Sequence, residues 1–188
     1  MKTIIITGSV GTGKTTLAKK LCKRLGFKYT DVNKIISKYG IASGYDKKRK
    51  TKIVDVKKLN KALVKEINNI KNANKESTKR PKQKNKPNKK SKNKIIAGII
   101  IDSHLSHYLP KKYVDLCIVT KCGLKMQQKR LKKRKYSKEK IRENLDAEIF
   151  DVCLNEAREM GHKTIVFDTT KGININNICN KIKQRYIQ

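Results

Sequence analysis

The 188-residue sequence predicts an α/β fold: a doubly wound parallel sheet of about five strands with helices on both faces. Two patterns predict it. Short β-branched apolar runs alternate along the chain with segments whose apolar residues step by three and four. A glycine-rich loop also joins the first such run directly to the first such helix, the connection that parallel strands need.

Thr3-Ile4-Ile5-Ile6 opens the chain as a buried parallel strand. It leads into Gly8-Ser9-Val10-Gly11-Thr12-Gly13-Lys14-Thr15, which fits G-x-x-x-x-G-K-[ST] without exception. Leu17, Leu21 and Leu25 then mark one face of a helix that Gly26 can terminate. Strand, loop and helix together form a phosphate cradle. Glycines let successive N–H groups converge on an anion, and the helix N-terminus adds its positive dipole end. Gly11, Gly13, Thr15 and Thr16 are candidates to hold the phosphates, Lys14 to reach the β- and γ-phosphates, and the Thr15 hydroxyl to ligate Mg²⁺. The fold class is that of P-loop NTPases, and ATP is the expected nucleotide.

Lys28 to Val32 reads as a second strand, followed by a helical stretch with Ile35, Ile36 and Tyr39 that ends at Gly40. Gly44-Tyr45-Asp46 reads as a loop, with a basic run from Lys47 to Lys52 after it. Asp55 is a candidate N-cap for a helix carrying Val56, Leu59, Leu63, Ile67 and Ile70. Residues 71–94 bring two prolines, no large apolar residue and a Lys/Asn alternation, so they read as a disordered Lys-rich insertion. Ile95 to Ile101 is the most apolar run and predicts a central strand ending at Asp102-Ser103-His104. A strand from Val114 to Val119, a helix over Leu124 to Lys133 and a turn at Lys135-Tyr136-Ser137 come next. One long helix capped by Ser137 would bury Ile141, Leu145, Ile149, Val152 and Cys153. Thr164 to Asp168 is the last strand, and Ile175, Ile178 and Ile182 mark the last helix.

The length suits a single domain over residues 1–188. A net charge of +33 points first to nucleic acid or another polyanion, with RNA contact through the basic surface. Five cysteines without a C-x-x-C pair read as free thiols in a reducing compartment. Met1-Lys2 leads straight into the first strand, and no apolar run approaches membrane-spanning length. A soluble cytoplasmic protein is the expectation.

Asp102 ends an apolar strand, as a Walker-B-type carboxylate does, and could hold Mg²⁺ beside Thr15; the alternative is a capping aspartate. His104 could orient a water or a phosphate, or be structural. With His107 it forms an H-x-x-H, to which no further ligand group points. Arg130 and Arg134 lie one turn apart on one helix face, where planar donors could stabilise a moving phosphoryl group. Surrounded by lysines, the pair could equally be a solvated basic face.

Taken together, these residues resemble the adenylate kinase isoenzyme 6 family of small nucleoside monophosphate kinases. The resemblance rests on Gly13-Lys14-Thr15-Thr16, Gly44-Tyr45-Asp46, Asp102-x-His104, Arg130-Leu-Lys-Lys-Arg134-x-Tyr136 and Glu143 to Ile149. It covers nearly the whole chain except 71–94, and departs where the family usually has Thr-Pro and this chain has Ser9-Val10. It implies an NMP-binding region over residues 31–54, a lid over 133–143, and Arg134 as the lid arginine. It further implies phosphoryl transfer between ATP and AMP by Lys14, Asp102, His104 and Arg134, with Arg130 also on the nucleotide. ATP hydrolysis linked to late maturation of the small ribosomal subunit, through a ribosomal protein and the pre-ribosomal particle, is implied as well. Two other readings stand beside this one: a ribosome-assembly ATPase with incidental kinase activity, and a P-loop kinase for a non-nucleotide acceptor.

Overall fold

A computed structural model of the chain describes residues 1–47, 51–79 and 95–186. Five parallel strands form the central sheet in the order β2-β5-β1-β6-β7, where β1 is Lys2–Thr7, β2 Lys28–Asp31, β5 Gly98–Asp102, β6 Leu116–Lys121 and β7 Thr164–Asp168. The sheet is buried on both faces, which is why its central strands are runs of isoleucine rather than an alternation of apolar and polar residues.

The strand period of two sorts those isoleucines into two layers. Ile5, Ile99, Ile101, Cys117 and Val119 pack under α2 (Val32–Lys38), α3 (Val56–Lys79) and α6 (Val152–Glu159). Ile4, Ile6, Ile100 and Ile118 pack under α1 (Lys14–Leu25) and α7 (Ile175–Tyr186). Leu59, Leu63, Ile67 and Ile70 supply the core stripe of α3, and the Asp55 carboxylate accepts the Lys58 N–H at 3.1 Å as its cap. α4 (Leu124–Lys133) and α5 (Lys138–Ile149) form the arm beyond β6, with Ser137 capping α5 through the Lys140 N–H. Among the described residues no helix is long and apolar enough to cross a membrane.

The structure corrects four expectations. Gly44-Tyr45-Asp46 is not a loop: β3 (Ala42–Asp46) pairs antiparallel with β4 (Thr51–Val54), Tyr45 opposite Lys52. This hairpin gives no alternating signal because nearly all of it is exposed, Ile53 included. The expected central strand begins only at Gly98, where a side chain would collide with the Phe27 ring. The helix after Ser137 is not continuous: α5 ends at Ile149 and α6 starts at Val152, with Asp151 in a left-handed conformation at φ 52°. Ile149 therefore leaves the core stripe for the surface, and Glu148 turns inward to accept the Cys122 N–H at 2.9 Å.

The fourth correction concerns the Lys-rich segment, since α3 runs on through Lys79, nine residues into the stretch 71–94. Ala73, Lys75 and Glu76 are good helix formers, and Asn74 pins this turn by bonding both the N–H and the carbonyl of Ile96. Residues 80–94 lie outside the described residues.

Candidate active site

The phosphate loop leaves β1 at Thr7 and enters α1 at Lys14. Its backbone has positive φ at Gly8, Gly11 and Gly13, and all three are confined by close contact as well, Gly13 by the Thr169 hydroxyl, which a Cβ would meet at 3.2 Å. A Cβ on Gly8 would sit 2.4 Å from the Thr120 carbonyl oxygen, and one on Gly11 would press Gln127 and Leu131 of α4 at 3.2 Å. Hydroxyls brace the loop from beneath: Thr12 donates to the Ser9 carbonyl at 2.8 Å and lies 2.7 Å from Thr120 Oγ1, while Thr169 donates to the Thr12 carbonyl at 2.7 Å.

Lys14 Nζ folds back over this loop and donates to the carbonyls of Gly8 at 2.7 Å and Ser9 at 2.8 Å. Burial there strips its hydration and, with Arg134 adding positive charge nearby, lowers its pKa to about 8; the Asp102 carboxylate pulls the other way. Asp102 is the last residue of β5, level with Ile6 of β1 and Asp31 of β2. It is buried, and its Oδ2 accepts the Tyr29 hydroxyl at 3.1 Å. Burial and this carboxylate together push the Tyr29 phenol pKa far up, so it stays a donor.

A cleft of about 200 Å³ is lined by Lys14, Thr15, Thr16, Asp102, His104 and Arg134, and by Asp31 and Asn33. It lies off the C-terminal ends of β1, β2 and β5, where ligands bind in open parallel sheets. A larger cavity of about 590 Å³ shares Gly11, Gly13, Thr16 and Arg134 with it and adds Lys20, Arg130, Lys133 and Thr169. All the sequence-predicted site residues thus border one continuous region. His104 is open to the cleft, yet the cleft walls and the Lys14 ammonium hold its pKa well below the ordinary histidine value, so the imidazole is neutral near pH 7. Thr15 and Asp102 offer a hydroxyl and a carboxylate to the same cleft, a hard oxygen donor set that suits Mg²⁺ with its remaining positions left to phosphate and water.

The two arginines differ. Arg130 donates to the Gly11 carbonyl at 3.1 Å and to the Thr169 hydroxyl and carbonyl at 3.2 and 2.9 Å, so it is a brace of the loop rather than part of a solvated face. Arg134 caps the end of α4 through its backbone N–H, which donates to the Leu131 carbonyl at 3.0 Å, while its guanidinium makes no hydrogen bond among the described residues and lies at the junction of the two cavities. Sequence reasoning missed Thr120, Thr169, Gln127 and Asn144. The Asn144 carbonyl group Oδ1 accepts the Val10 N–H at 3.3 Å, and Gln127 bonds the Val10 carbonyl at 2.9 Å, so α4 and α5 both hold the loop.

A glycine loop between a buried parallel strand and a helix, with a strand-end carboxylate facing it, defines a P-loop NTPase. The family model described as AAA domain matches residues 4–151. "Putative adenylate kinase" of Methanocaldococcus jannaschii is 35% identical over 179 residues, covering 95% of this chain and 82% of that protein. "Adenylate kinase isoenzyme 6 homolog" of Caenorhabditis elegans is 28% identical over 182 residues, 94% of this chain and 86% of that one. The chain belongs to the adenylate kinase isoenzyme 6 family. Among solved structures, deoxyadenosine kinase from M. mycoides with bound dATP shares the fold at 18% identity and a TM-score of 0.51, covering 97% of this chain and all of that one.

Proposed function

We propose that the protein is an ATP-dependent adenylate kinase, moving the γ-phosphate of ATP reversibly to AMP. The observation that carries this reading is the single cleft in which Lys14, Thr15, Asp102 and the unbonded Arg134 converge. The names of the archaeal and nematode relatives point the same way.

In this mechanism the triphosphate enters the loop and its oxygens replace the Gly8 and Ser9 carbonyls as partners of Lys14. The N–H groups of Gly11 to Thr16 and the α1 dipole hold the phosphates. Arg130 keeps Gly11 in place and walls the larger cavity. Thr15 and Asp102 would hold Mg²⁺, which when bound neutralises phosphate charge. AMP would approach past Asp31 and Asn33, along α2 and the β3–β4 hairpin within residues 31–54. Its phosphate is already an anionic nucleophile, so no general base is required. Charge that builds on the transferred phosphoryl group is met by Lys14 and Arg134, and the segment over 133–143, the end of α4 with the first turns of α5, would close over the pair and exclude water.

The proposal extends to ATP hydrolysis and to a cytoplasmic role in late maturation of the small ribosomal subunit through a ribosomal protein. Two observations favour this second activity. The net charge of +33 suits encounter with an RNA-rich particle, and the neutral His104 imidazole can accept a hydrogen bond from a water in the cleft. The test is ATP turnover with a panel of nucleoside monophosphates, beside ATP alone and ATP with small-subunit particles. AMP should raise ADP formation far above ATP alone. Turnover indifferent to every monophosphate would sink the kinase reading, and indifference to particles would sink the second.

A further inference from the structure

His104 and His107 are three residues apart, yet only His104 reaches the cleft. His107 turns into the protein, 1% exposed, within a single 3₁₀ turn from Ser106 to Tyr108. Its Nδ1 lies 2.7 Å from Thr7 Oγ1, and its Nε2 lies 2.9 Å from Glu156 Oε2 on α6, out of line for a full hydrogen bond. Thr7 is the last residue of β1 and precedes Gly8, whose carbonyl holds Lys14. We propose that Glu156 and His107 are positioning residues that act through Thr7 to set the phosphate loop and thereby its affinity for a nucleoside triphosphate.

Donor and acceptor counting carries the argument. Glu156 Oε1 accepts the Tyr108 hydroxyl at 2.8 Å, and its other oxygen faces Nε2 of His107. An ionised carboxylate only accepts, and a lone pair on Nε2 would repel it, so the ring proton belongs on Nε2. Nδ1 is then an acceptor, and the Thr7 hydroxyl must donate to it. A hydroxyl has one hydrogen, so Thr7 cannot also serve the His104 carbonyl 3.4 Å away. Glu156 thus dictates which way the Thr7 hydroxyl points. Burial supports this arrangement by keeping the His107 pKa below its ordinary value, with Glu156 pulling it back up, so the ring is neutral near pH 7.

The same segment grips the neighbouring residue as well. The Ser103 N–H donates to the Ile6 carbonyl at 3.2 Å, and the Ser106 hydroxyl sits between the Ile6 and Ser103 carbonyls at 3.0 and 2.8 Å. The Thr120 hydroxyl, 2.7 Å from Thr12 Oγ1 of the loop, also lies 3.2 Å from the Thr7 carbonyl on the other side. The root of the loop is therefore clamped, and α6 reaches it twice among the described residues: through Cys153 beside Thr7 and Gly8, and through Glu156, which selects the direction of the Thr7–His107 bond.

The inference rests on triphosphate binding at the loop and is independent of whether AMP is the acceptor. The test is calorimetric dissociation constants for Mg·ATP and for AMP, with thermal melting, on wild type, Thr7→Val, Thr7→Ser and Glu156→Gln. Thr7→Val keeps the volume and loses one buried hydrogen bond, so ATP affinity should fall about 3–10-fold while AMP affinity stays within about twofold. Thr7→Ser retains the hydroxyl and should restore ATP affinity to within about twofold. Glu156→Gln leaves the core intact but no longer dictates the ring tautomer, and should cost about 2–3-fold in ATP affinity alone. Wild-type ATP affinity in Thr7→Val and Glu156→Gln would overturn the proposal. So would equal losses for ATP and AMP in step with melting temperature. A wild type that binds ATP but phosphorylates no AMP would defeat the kinase reading and leave this comparison decisive.

Discussion

Lys14 should make ATP binding depend on pH in the alkaline range. In the free protein burial holds its pKa at about 8, more than two units under the ordinary lysine value. Bound phosphates favour the charged form and raise that pKa, so binding draws on the protonated fraction of the free protein. Affinity is full below about pH 8 and is lost as pH rises through it. At pH 8 about half of the free protein is charged, a twofold loss, and at pH 9 about a tenth is, a loss of about tenfold from the plateau. The assay is calorimetry with Mg·ATP from pH 7 to 9.5 in buffers of differing ionisation enthalpy. It should show uptake of about half a proton at pH 8. An affinity that is flat to pH 9, with no proton uptake, would refute the desolvated lysine.

Three further outcomes follow from the site. Arg134→Ala should lower kcat for AMP phosphorylation by on the order of 10²–10³ while ATP affinity changes little, because its guanidinium is free to meet charge that develops during transfer; a kcat within about twofold of wild type would return it to the surface lysines around it. His104→Ala should reduce ATP hydrolysis proportionately more than AMP phosphorylation, measured on one preparation; equal losses would mean that His104 only shapes the cleft. Gly8→Ala should cost about 2–4 kcal/mol in urea unfolding, since the methyl meets the Thr120 carbonyl at 2.4 Å on a backbone at φ 135°; a loss under about 1 kcal/mol would show that the loop yields.

The central sheet was legible because its strands are buried on both faces, so burial wrote an unbroken isoleucine signal at β1 and β5. The bounds expected for α4 and β7 coincide with those observed, since each lies between clear glycine or turn residues. The β3–β4 hairpin was illegible for the opposite reason. Exposed on both faces, it owes its shape to cross-strand pairing and has no core to leave a pattern. Lys14, Thr15, Asp102, His104 and Arg134, which line the cleft, stood out in the sequence because each lies in or beside a local motif. Thr169 and Asn144 were not, because they reach the loop across 157 and 134 residues of chain and no spacing rule spans that distance.

The left-handed turn at Asp151 has a consequence for how the chain can vary. α5 before it brings Asn144 to the loop, and α6 after it brings Glu156 to His107. Substitution at exposed Phe150 leaves both approaches alone. Length is a different matter: adding or deleting a single residue there rotates α6 by about 100° and shifts it by about 1.5 Å relative to α5. Glu156 would swing away from His107 while Asn144 stayed in place. The joint therefore tolerates spelling changes at Phe150, holds Asp151 to residues that accept its left-handed backbone, and forbids insertions, a constraint on drift that the Phe150 side chain would not reveal.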